Sequence, residues 1–142
     1  MKPRYMLDTN ICIYLMKHQP ETVQARFAAC YVGDVVMSAI TLAELEFGVA
    51  SSGSARKRNQ KALDELLHDI PVAPFATEAA RAYGSVRAAN RQRNRDALDK
   101  LIASHAIALG VTLVTNKETD FKDFENLTTE NWVSSTAPPH HS

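Results

Sequence analysis

Long apolar runs are missing from this 142-residue chain. No stretch approaches the roughly 20 residues that a membrane-spanning helix needs, and the N-terminus lacks an apolar segment followed by a small-residue cleavage site. A chain that stays in the cytoplasm, with no membrane partner, is expected. Cysteine is nearly absent: only Cys12 and Cys30 occur, both in apolar stretches and neither in a CxxC or metal-ligand spacing. They read as reduced core thiols, and they supply neither a disulfide framework nor a zinc site. An excess of one charge is also lacking, because 16 Lys and Arg balance 16 Asp and Glu. Any nucleic-acid binding must therefore come from local clusters.

What is present is the balance of an ordinary globular protein, 45% apolar and 23% charged. A chain of this length can bury about two thirds of its unfolded surface around one core. One domain over residues 1–133 is expected, followed by "SSTAPPHHS" (134–142) as a disordered tail.

Apolar periodicity alternates between two kinds. "RYMLD" reads as a buried strand leading into a helix with Ile11, Tyr14 and Leu15 on one face. Pro20 opens an amphipathic segment, "PETVQARFAACYV", with Gly33 beyond its end. "DVVMSAI" is a second strand and "TLAELEFGVASS" a helix. A basic-to-amphipathic helix follows over "SARKRNQKALDELLHDI", then "IPVAPF", a short strand whose prolines suit a sheet edge. "TEAARAYGSVRAANRQ" puts Ala79, Ala82, Tyr83, Val86 and Ala89 on one core-facing stripe. "DALDKLIASHAIALG" is a buried helix ended by Gly110, and "VTLVTN" a buried strand. "KETDFKDF" suits a helical turn and "NLTTENW" an edge strand. Continuous apolar strands alternating with helices favour an α/β sandwich with a mostly parallel sheet, in which ligands bind beyond the carboxyl ends of the strands.

Acids stand at those ends. Asp8 follows the first strand, where it could simply cap the next helix. Glu44 lies three residues after Thr41, the spacing of a capping box. Asp96 and Asp99 share that offset, and Asp120 could be a solvated surface acid. Acids fill about one position in nine, so none is informative alone, and convergence is what would matter. Two carboxylates about 4 Å apart repel by roughly 4 kcal/mol at an effective dielectric near 20. Four in one pocket would need a cation or raised pKa values. Carboxylate oxygens suit Mg²⁺ or Mn²⁺, and no His/Cys cluster argues for zinc.

"MLDTNICIYLMKHQP", "MSAITLAELEFGV", "DKLIASHAIALGVTLVTN" and "DFKDFENLTTENW" resemble, in this order and from Tyr5 to Trp132, the PIN-domain endoribonucleases, specifically the VapC toxins of type II toxin–antitoxin systems. The resemblance implies the PIN fold, an α/β/α sandwich. It also implies Asp8, Glu44, Asp99 and Asp120 as the catalytic acids, with Asp8 and Asp99 holding the metal. Thr9, Ser38, Thr115 and Asn116 match polar positions around such a site, where they would orient carboxylates and metal-bound water. The chain departs from the pattern at "RDAL", where Asp96 adds a carboxylate one helical turn before Asp99; a helix cap is the favoured role. Its ending also runs past the family's usual finish.

The implied chemistry is metal-dependent hydrolysis of an RNA phosphodiester bond. A bound ion, Mg²⁺ or Mn²⁺, would activate water and offset charge on the phosphate, while Glu44 and Asp120 complete the cluster or hold a second ion. Arg91, Arg93 and Arg95 immediately precede the Asp99 helix and are the expected RNA contacts, although such runs more often form a solvated face. Resemblance further implies a cognate VapB-type antitoxin, operator DNA bound through that antitoxin, a homodimer, and a tRNA substrate cut in the anticodon stem-loop, with initiator tRNA favoured. Two rivals differ in class. A non-catalytic PIN module would bind partners or RNA without turnover. A receiver-like signalling domain would find a use for Lys117 after a strand, but none for Glu44 and Asp99 on helices.

Overall fold

The computed structural model describes residues 2–91 and 97–134. The chain runs β1 (Tyr5–Leu7), α1 (Thr9–Lys17), α2 (Glu21–Ala28), β2 (Val35–Ser38), α3 (Ala39–Ala50), a 3₁₀ turn (Gly53–Ala55), α4 (Arg56–Asp69), β3 (Val72–Ala73), α5 (Thr77–Ala89), α6 (Ala97–Leu109), β4 (Thr112–Val114), α7 (Glu118–Phe121) and β5 (Thr129–Glu130). The five strands form one sheet in the order β3-β2-β1-β4-β5, and every pairing is parallel.

Alternation along the strands divides the core between the two faces of the sheet. Tyr5, Leu7, Val35, Met37 and Val114 pack with Ile11 and Leu15 of α1, Leu45 and Val49 of α3, and Leu63 and Leu66 of α4. Met6, Val36 and Leu113 point the other way, onto Val86 of α5 and Ile102, Ala103 and Ala106 of α6. Helices thus cover both faces, the three-layer sandwich that the apolar strands imply. Both short strands expected at an edge, β3 and β5, lie there.

The chain builds outward from β1 to β2 and β3, then crosses to β4 on the other side of β1. The connections leaving β1 and β4 therefore part in opposite directions, and a crevice opens at their carboxyl ends. Asp8 N–H donates to the Val114 carbonyl at 3.0 Å, so the two strand ends stay in register to the point where the chains diverge.

Some local expectations are corrected. The second amphipathic segment stops at Ala28 because the Asp34 carboxylate captures the Tyr31 amide at 2.9 Å and Gly33, at φ 93°, turns the chain into β2. Ala39 and Ile40 belong to α3, not to the strand, since Ser38 caps that helix by accepting from Ile40 N–H at 3.0 Å. Ala89 is exposed, so the buried stripe of α5 reduces to Ala79 and Val86. Residues 135–142 fall outside the described residues, and with them all of the expected tail (134–142) except Ser134.

Candidate active site

Asp8 is fixed by backbone chemistry before its carboxylate is considered. Its N–H is tied to β4, its carbonyl accepts from Cys12 N–H at 3.1 Å, and its Oδ1 caps α1 by accepting from Ile11 N–H at 3.0 Å. Oδ2 is buried and has no hydrogen-bond partner, in a residue only 3% exposed. Burial pushes the carboxyl above its ordinary value. The Thr115 hydroxyl, the Ile11 amide and the Lys117 ammonium work against that shift, and the Asp99 charge adds to it. An uncompensated buried oxygen is costly. A cation in the crevice would relieve it.

Asp99 comes from the opposite layer. It lies in the first turn of α6, with both oxygens near the Lys117 ammonium at 3.2 and 3.3 Å. Lys117 follows β4 and precedes α7, and its backbone N–H donates to Thr115 Oγ1 at 3.0 Å. Burial alone would lower its pKa, but the Asp99 carboxylate, followed by Asp8 and Asp120, raises it above the ordinary value. The ammonium therefore lies within electrostatic reach of three of the four expected acids. The fourth, Glu44, is joined to the first by a neighbour: Thr9 Oγ1 donates to Glu44 Oε1 at 2.6 Å.

Two sequence alternatives are thereby decided. Thr41 lies inside α3, past its Ser38 cap, so Thr41 and Glu44 form no capping box and Glu44 turns to Thr9 instead. Asp8 is a helix cap as well as an acid of the crevice, one oxygen for each purpose; neither Thr9 nor Asn10 takes over the cap.

The polar neighbours divide. Thr115 serves Asp8 and the Lys117 backbone. Asn116 is engaged with α1, donating to the Tyr14 hydroxyl at 3.0 Å and accepting from Asn10 at 3.5 Å. Ser38 pairs with His105 Nδ1 at 2.8 Å, which joins the end of β2 to α6. Asp96, Arg93 and Arg95 lie outside the described residues. Arg91 lines a cavity of about 520 Å³ with Tyr83, Arg87 and Lys100, the residue that follows Asp99. Lys117 and His105 are site neighbours that sequence reasoning did not assign. Their signals were a cation directly after the T-N strand end and a polar ring in an otherwise apolar helix.

Among the described residues, no group of three or more His, Cys, Asp or Glu side chains forms a ready metal cage. Zinc is poorly served by that arrangement. Mg²⁺ keeps several waters and takes one or two carboxylates, a demand that Asp8 Oδ2 and Asp99 can meet.

A PIN-domain family model matches residues 5–127. The chain belongs to the PIN-domain family, in its VapC branch. It is 38% identical to "Ribonuclease VapC2" of Rickettsia felis over 131 residues, 90% of this chain and 97% of the relative. It is 34% identical to "tRNA(fMet)-specific endonuclease VapC" of Shigella flexneri, over 91% of this chain and 98% of the relative. Among solved structures, the Rickettsia felis VapBC2 complex bound to a promoter DNA fragment superposes with a TM-score of 0.82 at 37% identity, covering 90% of this chain and 98% of that one. DNA-bound VapBC from Salmonella typhimurium superposes with a TM-score of 0.84 at 32% identity, covering 92% and 98%.

Proposed function

We propose that this chain is the ribonuclease toxin of a toxin–antitoxin pair, a Mg²⁺- or Mn²⁺-dependent endonuclease acting in the cytoplasm on the anticodon stem-loop of a tRNA, with initiator tRNA the first substrate to test. The observation that carries the reading is the orphaned Asp8 Oδ2, buried at the sheet's switch point, with a cation already drawn to Asp99 beside it. The names of the VapC relatives support the RNA substrate.

When bound, a divalent ion supplies Lewis-acid stabilisation of phosphate charge and a more acidic water. Asp8 and Asp99 would hold it. Asp8 is held rigidly by the α1 cap and by β4, so its free oxygen needs little reorganisation to bind. Glu44, oriented by the short Thr9 bond, stands ready to accept a proton or a water hydrogen bond, and Asp120 adds charge from α7. Tyr83, Arg87 and Arg91 offer an aromatic ring and two cations in the cavity between α5 and α6, groups of the kind that bind a phosphate backbone and an unstacked base. Thr115 and Ser38 act as supports.

The structures of VapBC complexes on promoter DNA support a VapB-type antitoxin as partner and operator DNA reached through it. An apolar groove of about 200 Å³ between α1, α3 and α4, lined by Ile13, Met16, Leu45 and Val49, together with the exposed Phe47, suits an antitoxin segment or the second subunit of a homodimer.

The decisive experiment incubates antitoxin-free protein with total tRNA and Mg²⁺ or Mn²⁺, alongside Asp8→Asn and Asp99→Asn variants. Cleavage at one position, lost with EDTA and in both variants, is the expected outcome. RNA binding without cleavage would favour a non-catalytic module, and cleavage by folded Asp99→Asn would overturn the metal assignment.

A further inference from the structure

Lys117 is a cation of the crevice that the proposed hydrolysis does not use, and it stands against one of the two acids assigned to the metal. Its ammonium contacts both oxygens of Asp99, at 3.2 and 3.3 Å, and its charge reaches Asp8 and Asp120. The side chain is about one third exposed, so it can leave. The backbone cannot follow: Lys117 N–H is held by Thr115 Oγ1 at 3.0 Å, and the Lys117 carbonyl accepts from Asp120 N–H at 2.9 Å. The tether is short and fixed at both sides, and only the four-carbon stem moves.

Both Asp99 oxygens face the ammonium, so a divalent ion bound at Asp99 would sit against a like charge only a few ångströms away. Carboxylate oxygens shared between a lysine and a metal cannot serve both at full strength. Asp8 Oδ2, by contrast, has no hydrogen-bond partner, and the same ammonium acts on it only through its charge. One lysine therefore pairs directly with one side of the crevice and leaves the other without a hydrogen bond.

We propose that Lys117 is a built-in counter-ion that competes with the divalent metal for Asp99: it holds the acids together in the metal-free protein and must withdraw for the ion to bind. The inference rests on the metal assignment to Asp8 and Asp99 made above. It gives the isolated protein a weaker and more readily reversible hold on its metal than the acids alone would provide.

The test measures Mn²⁺ binding by isothermal titration calorimetry on the full, antitoxin-free chain, with melting temperatures recorded with and without the ion. Lys117→Met and Lys117→Gln are compared with Lys117→Arg, wild type and Asp99→Asn. Removal of one competing, partly exposed charge should tighten Mn²⁺ binding by about five- to tenfold in Lys117→Met and Lys117→Gln. The same variants should melt lower than wild type without metal and show a larger upward shift with it, whereas Lys117→Arg should stay near wild type. Equal or weaker Mn²⁺ binding in both neutral variants, with binding still lost in Asp99→Asn, would overturn the role of Lys117 and leave the metal assignment standing. Binding by Asp99→Asn as tight as wild type would instead overturn the assignment on which it rests.

Discussion

Two buried aspartates stand at opposite ends of the sheet, and the protein treats them differently. Asp34, 2% exposed, precedes β2 at the amino edge; its carboxylate accepts from Tyr31 N–H at 2.9 Å and lies 3.8 Å from the Arg4 guanidinium. Its carbonyl accepts from both Arg4 and Tyr5 N–H, so the whole residue is spent on closing the turn between α2 and β2 and docking it on β1. Asp8, 3% exposed, follows β1 at the carboxyl edge, where one oxygen caps α1 and the other has no partner. Burial is the same and satisfaction is not. An acid whose carboxylate and carbonyl close a turn reads as structure, whereas an acid held rigidly with a buried oxygen to spare is poised for a ligand, because the cost of leaving it unpaired persists until something binds.

The largest expected effect breaks the pair apart by charge. Asp8→Asn keeps an oxygen for the α1 cap but removes the buried charge, so tRNA cleavage should fall by about 100-fold or more. The fold should not suffer. Because burial raises the Asp8 pKa, the folded metal-free protein carries a penalty that accrues as pH rises through the unfolded carboxylate value and remains at neutral pH. The variant should therefore melt no lower than wild type at pH 7 and lose its advantage as pH falls toward 4. A marked drop in melting temperature at pH 7, seen by circular dichroism, would make Asp8 a structural acid like Asp34.

Metal addition sharpens the contrast. Saturating Mn²⁺, at about 100 times the dissociation constant, should stabilise wild type by about 2.7 kcal/mol. The same shift is expected in Asp34→Ala and none in Asp8→Asn, with EDTA reversing it; differential scanning calorimetry reads all three. Asp34→Ala should itself cost about 1 to 3 kcal/mol of stability, since the Tyr31 amide loses that acceptor and the Arg4 contact goes with it. If Asp34→Ala abolished the Mn²⁺ shift while remaining folded, the separation of the two ends would fail.

The distinction explains which parts of the molecule could be read in advance. Strand and helix order follows from apolar periodicity, and the edge strands from their prolines and polar ends; both depend on neighbours in sequence. The acids could be named for the same reason, since strand ends are local features and the resemblance to VapC proteins aligned them. Partnership could not be read. Glu44 has the spacing of a capping box with Thr41, yet its actual partner is Thr9, 35 residues away, because Ser38 had already capped the helix. Asp34 drew no attention because its role depends on the turn at Gly33 and on the hydrogen bond from Tyr31 N–H. Lys117 looked relevant only to a receiver-like site; that its ammonium meets Asp99, 18 residues earlier, depends on α6 and the β4–α7 turn meeting across the crevice.

The carboxyl edge also holds a polar pair that resembles Asp34 more than Asp8, and it provides the smallest and most selective test. His105 is 1% exposed, its Nδ1 paired with Ser38 Oγ, its ring edge-on to Phe75 at 5.3 Å, and the Pro74 carbonyl within hydrogen-bonding reach. Ser38 Oγ accepts from Ile40 N–H and also pairs with His105 Nδ1, while the ring makes a backbone contact with Pro74. Burial lowers the His105 pKa below the usual histidine value, and the Pro74 contact opposes this only in part. Above a pH of about 6.5 both folded and unfolded chains hold the ring neutral; below it the unfolded chain takes up a proton that the folded chain resists. Stability should therefore be lost as pH falls from about 6.5 toward the lower folded value. In His105→Asn, which can keep the Ser38 bond, the melting temperature should be lower at pH 7.5 and should fall less steeply between pH 7 and 5.5. The other histidines are common to both proteins, so the difference between the two profiles isolates His105; parallel profiles would mean that folded and unfolded chains bind the ring's proton equally, and that burial does not hold it off.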